Sequence, residues 1–464
     1  MADTPNLQDV AERSDSLLDT DATEQPNPII SALDLSDDTE LGLRLDSLHP
    51  ADFSDFFEEL SDAQQRELVE RAPEVITGER LVELEDDVVE DVLPLLEPGL
   101  IADALVELDS DEITQIVEEL DPARREDVLD AMEPENRREV EQSLAFDDET
   151  IGRLMQREFV SAPEFWTVGN TIDHMRETGE DLPDQFFNIY VVDPRLRPMG
   201  YVTVSRLMRA PREATLASLM EMKLITVDQS LDQEEAAYLF EKYHLISAPV
   251  VDTQGRMVGM MTVDDILDII QDENKEDILG LAGVSGAGIA DTALETVRAR
   301  APWLLVNLGT AIIASIVIAR FDYAIEQIVA LAVLMPIVAS MGGNAGTQAL
   351  TVAVRGLSER DLTKATALRA VRREGLSALI IGLIFAVALA GIAFVWFGDT
   401  QLAGVAFVAM IINHVFAGLA GILIPLGLKR AGADPAVSSS VFVTTVTDVV
   451  GFAAFLGFAA LVLL

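Results

Sequence analysis

The chain has 464 residues, a mean hydropathy of +0.26, 24% charged residues and a formal net charge of −47, with no cysteine. The absence of cysteine excludes disulfides, thiolate metal sites and cysteine nucleophiles, and so acidic a surface repels nucleic acid and anionic lipid headgroups. High hydropathy beside so much charge requires segregation: residues 1–301 carry 71 acidic and 23 basic side chains, whereas from Pro302 onward eight acidic residues accompany nine basic ones. The acidity serves either as a solvating surface, as in salt-adapted proteins, or as sites for hard divalent cations, which prefer oxygen ligands.

Residues 1–40 are rich in Asp, Ser, Thr and Pro and read as a disordered acidic lead-in. They contain no apolar signal segment, so the amino-terminal half is expected to stay in the cytoplasm. From residue 41 to 150 a repeat takes over. Leu48, Leu60, Ala72, Leu84, Leu96, Leu108, Leu120, Met132 and Leu144 recur every twelve residues. Several are followed by an acid and then Pro or Ser, as in Leu96-Glu97-Pro98 and Leu120-Asp121-Pro122. The acid suits a helix N-cap and the proline suits the first helical position. The pattern predicts a right-handed stack of short helices, apolar inside and carboxylate-covered outside, serving as a spacer or regulatory module.

Residues 151–272 change to α/β. Ile189-Tyr-Val-Val-Asp193 and Ala248-Pro-Val-Val-Asp252 are short strands ending in Asp, followed by Gly200-Tyr-Val-Thr203 and Gly259-Met-Met-Thr262. The sixty-residue unit resembles a pair of CBS modules. In the second copy Gly259, Thr262 and Asp265 form a Gly-x-x-Thr-x-x-Asp pattern resembling a ribose-phosphate contact of adenine nucleotides such as ATP. In the first copy the equivalent set is Gly200, Thr203 and Arg206, where Arg removes the ribose acceptor. A helix starting at Asp264 continues into a connecting segment over 273–300. Acids at 265/268 and 273/276/277 fall on one helical face and call for a cationic partner.

Five apolar runs long enough to cross a bilayer follow, free of charge except for Asp448 in the last: 301–319, 327–354, 375–398, 400–428 and 435–464. Arg298 and Arg300 precede the first, six Lys/Arg lie in 355–373, and Lys429-Arg430 separate the fourth from the fifth. The positive-inside rule then places the amino terminus in the cytoplasm and the carboxyl terminus outside. Asp448 is the only ionisable residue in 435–464, next to Thr444, Thr445 and Thr447. A carboxylate in hydrocarbon is costly and marks function or pairing; coordination of a hydrated cation, a proton relay and a structural hydrogen bond are the three readings. In the second run, Pro336 and the string Gly342-Gly343-Asn344-Ala345-Gly346 are expected to break the helix and expose carbonyls to a pore, or else to permit close helix packing. Asn344 and Gln348 favour the pore, since buried amides need partners. Asn413-His414 reads as inter-helix glue.

A twelve-residue helical stack, paired CBS modules, an acidic connecting helix and five spans carrying Gly-Gly-Asn-Ala-Gly and Thr-Thr-x-Thr-Asp together resemble the MgtE-type magnesium channels, from about residue 45 to the end. The fold so implied is multidomain: an α-helical superhelical N domain (41–150), an α/β CBS pair (151–272), an acidic connecting plug helix (273–300) and an all-α five-helix transmembrane domain (301–464). The resemblance further implies a homodimer in the inner cell membrane with a pore between the subunits, and Mg²⁺ as both substrate and regulatory ligand. Asp448 would hold hydrated Mg²⁺, with Asn344, Gly342, Gly343, Thr444 and Thr445 near it. Asp265, Asp268, Glu273, Glu276 and Asp277 would be sensor ligands on a plug helix over 264–290. Two positions depart from the pattern: His244, where a family member can carry Asp, and Ser440, where an amide can occur. A proton-coupled divalent-cation carrier and a nucleotide-responsive membrane scaffold are the alternatives. No Walker motif and no His/Asp/Ser constellation accompanies the four histidines, which argues against an enzyme.

Overall fold

In a computed structural model the described residues are 38–178, 182–183, 185–284, 293–358, 360, 362 and 365–464. The expected lead-in falls outside them except for its last three residues. The chain forms two units, 1–233 with 246–262, and 234–245 with 263–464.

Among the described residues the first unit opens with nine short α-helices, joined in places by single 3-10 turns: α1 (Asp38–Leu45), α2 (Pro50–Glu58), α3 (Asp62–Arg71), α4 (Gly78–Val82), α5 (Asp86–Val92), α6 (Pro98–Ala104), α7 (Ser110–Glu118), α8 (Pro122–Ala131) and α9 (Pro134–Ser143). The twelve-residue repeat is their start signal. Asp121 caps α8 by accepting from the Ala123 and Arg124 N–H groups, Asp109 and Glu112 form a capping box on α7, and Pro98, Pro122 and Pro134 stand in the first turns that follow. Such caps satisfy N–H groups that a helix of under three turns cannot spare. Of the repeat residues, Leu60, Ala72, Leu84, Leu96 and Leu120 are buried in one continuous core. Leu48, Leu108, Met132 and Leu144 pack against its edge.

After α10 (Ile151–Leu154) come two three-stranded sheets of the same design. β1 (Ser161–Pro163) pairs parallel with β2 (Asn188–Val192), which pairs antiparallel with β3 (Pro198–Thr203). Helix α11 (Val168–Glu177) lies between β1 and β2 in sequence; α12 (Val204–Leu207) and α13 (Leu216–Leu219) follow β3. Next come β4 (Val227–Asp228), α14 (Gln233–Tyr243), β5 (Ser247–Val251) and β6 (Met257–Thr262), with the same parallel-then-antiparallel order. The registers match: Val191 opposes Gly200, and Val250 opposes Gly259. The Asp that ends each middle strand closes its turn. Asp193 accepts from the Arg195 and Arg197 N–H groups, and Asp252 from those of Gln254 and Arg256. Those backbone donors hold both carboxyls below the usual range. A polar seam fastens the helical stack to this module: Arg153 pairs with Glu118, and Ser110 Oγ donates to Glu158 while accepting from the Arg157 N–H.

The second unit holds α14 and α15 (Val263–Leu281), then α16 (Ala293–Ala319), α17 (Asp322–Gln327), α18 (Ala330–Ser358), α19 (Ala367–Phe397), α20 (Thr400–Ala431) and α21 (Pro435–Val462). Five of these are long and apolar enough to cross a membrane: Thr296–Ala319, Ala330–Ser358, Ala367–Phe397, Thr400–Ala431 and Ser439–Val462. Helix α20 is central and packs against α18, α19 and α21; α16 packs mainly against α21. Small residues permit the close approach: a Cβ on Gly421 would lie 2.6 Å from Ala349 Cβ and 2.7 Å from the Gly346 carbonyl.

Two expectations need correction. Gly342, Gly343 and Asn344 do not break the second span, because α18 runs unbroken from 330 to 358. The backbone stays helical through the string; Gly342 and Gly346 admit close neighbours, whereas Gly343 borders open space. The acidic connecting helix is also shorter than 264–290. α15 ends at Leu281, and Gly283 follows with a left-handed φ of +72° that suits glycine. The remainder of that expected helix, 285–292, lies outside the described residues.

Candidate ion pathway and regulatory helices

The polar residues of the membrane domain are concentrated on α18 and α21. Asn344 is the fifteenth of the 29 residues of α18, and Asp448 is the fourteenth of the 28 in α21, so each lies at mid-helix. The two helices touch at this level: a Cβ on Gly346 would meet Val443 Cγ1 at 2.6 Å and Thr447 Cγ2 at 3.3 Å. Asn344, Thr347, Gln348 and Thr351 form an exposed polar strip along α18, opposite its buried face of Leu334, Val338, Gly342, Gly346 and Leu350. Exposed amides at membrane depth are untenable against lipid, so that strip borders water or another protein surface.

Asp448 is half-buried and makes no hydrogen bond or ion pair among the described residues. The neighbouring hydroxyls donate to their own helix: Thr444 to the Ser440 and Val441 carbonyls, Thr445 to Val441 at 2.6 Å, and Thr447 to Thr444 at 2.9 Å. With their protons committed, Thr444 and Thr445 present lone pairs as acceptors. Gly343 is half-buried, with open space where a side chain would stand; Gly342 is buried against Asn413. Of the Gly-Gly-Asn string, Asn344 is therefore the residue presented outward.

On α15, Asp265, Glu273 and Asp277 are half-buried and Asp268 and Glu276 are exposed. Among the described residues no three His, Asp or Glu side chains gather into a metal-binding group. Asp277 has a defined polar neighbourhood. Ser358 Oγ, in the last turn of α18, donates to it at 2.8 Å, and Asp434 and Lys429 lie within electrostatic reach. Burial raises the Asp277 pKa, Asp434 adds to the rise, and Ser358 and Lys429 oppose it. Asp434 was not singled out by sequence because it doubles as the N-cap of α21, accepting from the Ala436 N–H at 2.7 Å.

The end of α18 has two further attachments. Lys429 Nζ donates to the Leu357 carbonyl at 3.3 Å. Arg360, held at φ +57°, stacks its guanidinium 4.3 Å from the Tyr238 ring and pairs with Glu235 at 3.2 Å, both on α14. His244 closes α14 with φ +54°, a conformation in which Asn, Asp and His are enriched. In the helical stack, Glu119 is the most perturbed carboxyl. Burial, with Asp86, Glu118 and Glu90 around it, pushes its pKa up to about 7.

The nucleotide pattern lands on dissimilar supports. A Cβ on Gly259 would lie 2.6 Å from the Gln156 carbonyl, and one on Gly200 2.6 Å from that of Glu221, so each glycine admits a crossing backbone. Thr262 ends β6 and Asp265 lies in the first turn of α15. In the first copy Thr203 accepts from the Arg206 N–H, and the Arg206 guanidinium pairs with Glu221 at 3.1 Å.

Five apolar spans, polar groups meeting at mid-depth on two packed helices and a separate acidic region define the chain as a membrane transporter of cations. Family comparison gives the same class. A profile described as divalent cation transporter matches residues 335–458, the MgtE intracellular N domain matches 48–149, and CBS domains match 151–213 and 216–272. The magnesium transporter MgtE of Thermus thermophilus is 34% identical over 328 residues, 70% of this chain and 72% of its own. That of Bacillus subtilis is 31% identical over 324 residues, 69% and 71% of the two chains. A solved structure described as the cytosolic domain of the Mg²⁺ channel MgtE in complex with ATP aligns at TM-score 0.49 and 30% identity, over 52% of this chain and 98% of that one. The chain belongs to the MgtE family of magnesium transporters, whose members are transporters rather than enzymes.

Proposed function

We propose that the chain is a Mg²⁺-selective channel in which Asp448 holds the hydrated ion and the acidic cytosolic helices close the path when internal Mg²⁺ is high. The observation that supports the reading is the contact of α18 with α21 at Gly346 and Thr447, two residues from Asn344 and one from Asp448 along their helices. Mg²⁺ dehydrates reluctantly and keeps several waters. A half-buried carboxylate, an amide and hydroxyls with free lone pairs can accept hydrogen bonds from those waters without stripping them. The exposed strip on α18 suits a pore completed by a second copy, in a homodimer lying in the inner membrane with its amino terminus in the cytoplasm. Mutual repulsion of these carboxylates opposes closure, and Mg²⁺ can drive closure against it only if the closed state binds the ion better than the open one. Asp277 is the best-placed sensor residue, with Asp434 beside it; Asp265, Asp268, Glu273 and Glu276 extend the acidic face. ATP is a second regulatory ligand for Gly259, Thr262 and Asp265, whereas Arg206 of the first copy is already occupied by Glu221. A proton-coupled carrier would need a pH change accompanying flux, and no observation favours it.

Mg²⁺ uptake by vesicles containing Asp448→Ala tests the pore. Uptake should fall to background while the variant still assembles, and normal uptake would remove Asp448 from the path. Limited proteolysis across a Mg²⁺ titration tests the gate: 264–301 should become protected at millimolar Mg²⁺, and unchanged cleavage would reduce the acidity to surface chemistry.

A further inference from the structure

Asn413, in the middle of α20, is fully buried. Its Nδ2 donates to the Val338 carbonyl of α18 at 2.8 Å. The same amide fills the space two side chains would otherwise take. A Cβ on Gly342 would fall 2.1 Å from Nδ2, and one on Gly451 would fall 2.8 Å from it. Gly342 stands two residues before Asn344 on α18, and Gly451 stands three residues after Asp448 on α21. Asn413 Oδ1 is enclosed yet has no hydrogen-bond partner among the described residues. Burying an amide with its acceptor unused lowers stability. A joint built for cohesion alone would carry an apolar side chain there, so the amide points to a requirement other than cohesion.

We infer that Asn413 is a positioning residue for ion discrimination: wedged between two glycines, it fixes the separation and register of α18 and α21, and with them the gap between Asn344 and Asp448. The inference rests on the pore reading above. Hydrated Mg²⁺ is small and octahedral, whereas Ca²⁺ accepts larger and irregular coordination. A gap held at one width favours the first ion, and a gap free to widen admits the second.

The test is Mg²⁺ and Ca²⁺ influx into proteoliposomes of the full chain, comparing parent, Asn413→Ala, Gly342→Ala, the double variant and Asp448→Ala. Asn413→Ala should raise the Ca²⁺/Mg²⁺ influx ratio about tenfold while Mg²⁺ influx stays within a few-fold of the parent. Gly342→Ala puts a methyl group into the amide and should disturb the ratio in the parent; in the Asn413→Ala background it should change nothing further. A purely cohesive role would lower the amount of folded protein without moving the ratio. If Asn413→Ala does not reconstitute, Asn413→Ser, which keeps a short donor, takes its place under the same criterion. A parental ratio in the Asn413→Ala variant, or additive effects of the two substitutions, overturns the inference. If Asp448→Ala vesicles still conduct, the pore reading falls and takes the inference with it; if they are silent while the Asn413→Ala variant keeps the parental ratio, only the inference falls.

Discussion

Residues 1–301 carry 71 carboxylates, and residues 302–464 carry eight, one of them at the midpoint of an apolar span. In the acidic region most of these groups keep their water and exert little force singly, because solvent and salt screen them. Burial raises the pKa of a few, such as Glu119 and Asp277, while backbone donors lower those of the turn acids Asp193 and Asp252. In the membrane domain one half-buried carboxylate faces none of that screening. Number and strength are therefore decoupled: the acidic region should respond gradually to loss of charge, and the membrane domain abruptly to small changes of shape.

The widest separation of the two behaviours should come from Gly421→Val. Its side chain would enter Ala349 and the Gly346 carbonyl, an overpacking cost of about 3 kcal/mol. Detergent-solubilised protein should lose its cooperative thermal transition, and a Tm within a degree or two of the parent would contradict the packing. Asp277→Asn should be milder. Ionised Asp277 is disfavoured by burial and by Asp434, a penalty that grows as pH rises through its raised pKa and that a bound cation removes. The substitution should shift the Mg²⁺ concentration that half-protects 264–301 upward by about tenfold, equivalent to ~1.4 kcal/mol; an unchanged midpoint would exclude Asp277 from sensing.

Glu119→Gln should act in the opposite direction, toward stability. The folded-state pKa of about 7 exceeds the ordinary 4.5, so Glu119 binds its proton more tightly when folded. Stability is gained as pH falls from 8 toward 5 and lost as it rises through 7. At pH 8 the neutral glutamine should add about 1 kcal/mol after allowance for partial exposure, seen as a higher Tm that converges with the parent near pH 5. Divergence at low pH would refute the assignment. Arg360→Ala should have the smallest effect, about 0.5 kcal/mol from one exposed ion pair and one cation–π contact. It should appear as a two- to threefold shift in the protection midpoint, with no change in Mg²⁺ influx at low internal Mg²⁺.

The helical stack was legible because its information is local: an apolar residue, an acid cap and a proline recur at fixed spacing, and helices of two or three turns have little else to specify. The paired sheets were legible for a similar reason, since Asp193 and Asp252 announce their own turns. The five spans followed from hydropathy alone. Gly342 left two readings open because a glycine reads the same whether it frees a carbonyl or admits a neighbour. The neighbour, Asn413, is 71 residues away and seemed an ordinary polar contact. Asp434 carries no local signal beyond standing before Pro435, and its proximity to Asp277 depends on how α15 meets α21. Asp448 needed no partner to stand out, since cost alone marks a charge in an apolar run.

Helix α18 is fastened along the whole of its inner face. The Asn413 amide holds it at Val338 and Gly342, Val443 and Thr447 lie against Gly346, Gly421 meets Ala349, and Lys429 and Asp277 attach to Leu357 and Ser358. The stretch from Gly342 to Ser358 is about 24 Å long. A rod gripped at so many places along that length has little freedom to flex locally, so a push at the Ser358 end should reach the level of Asn344 as a shift of the whole helix.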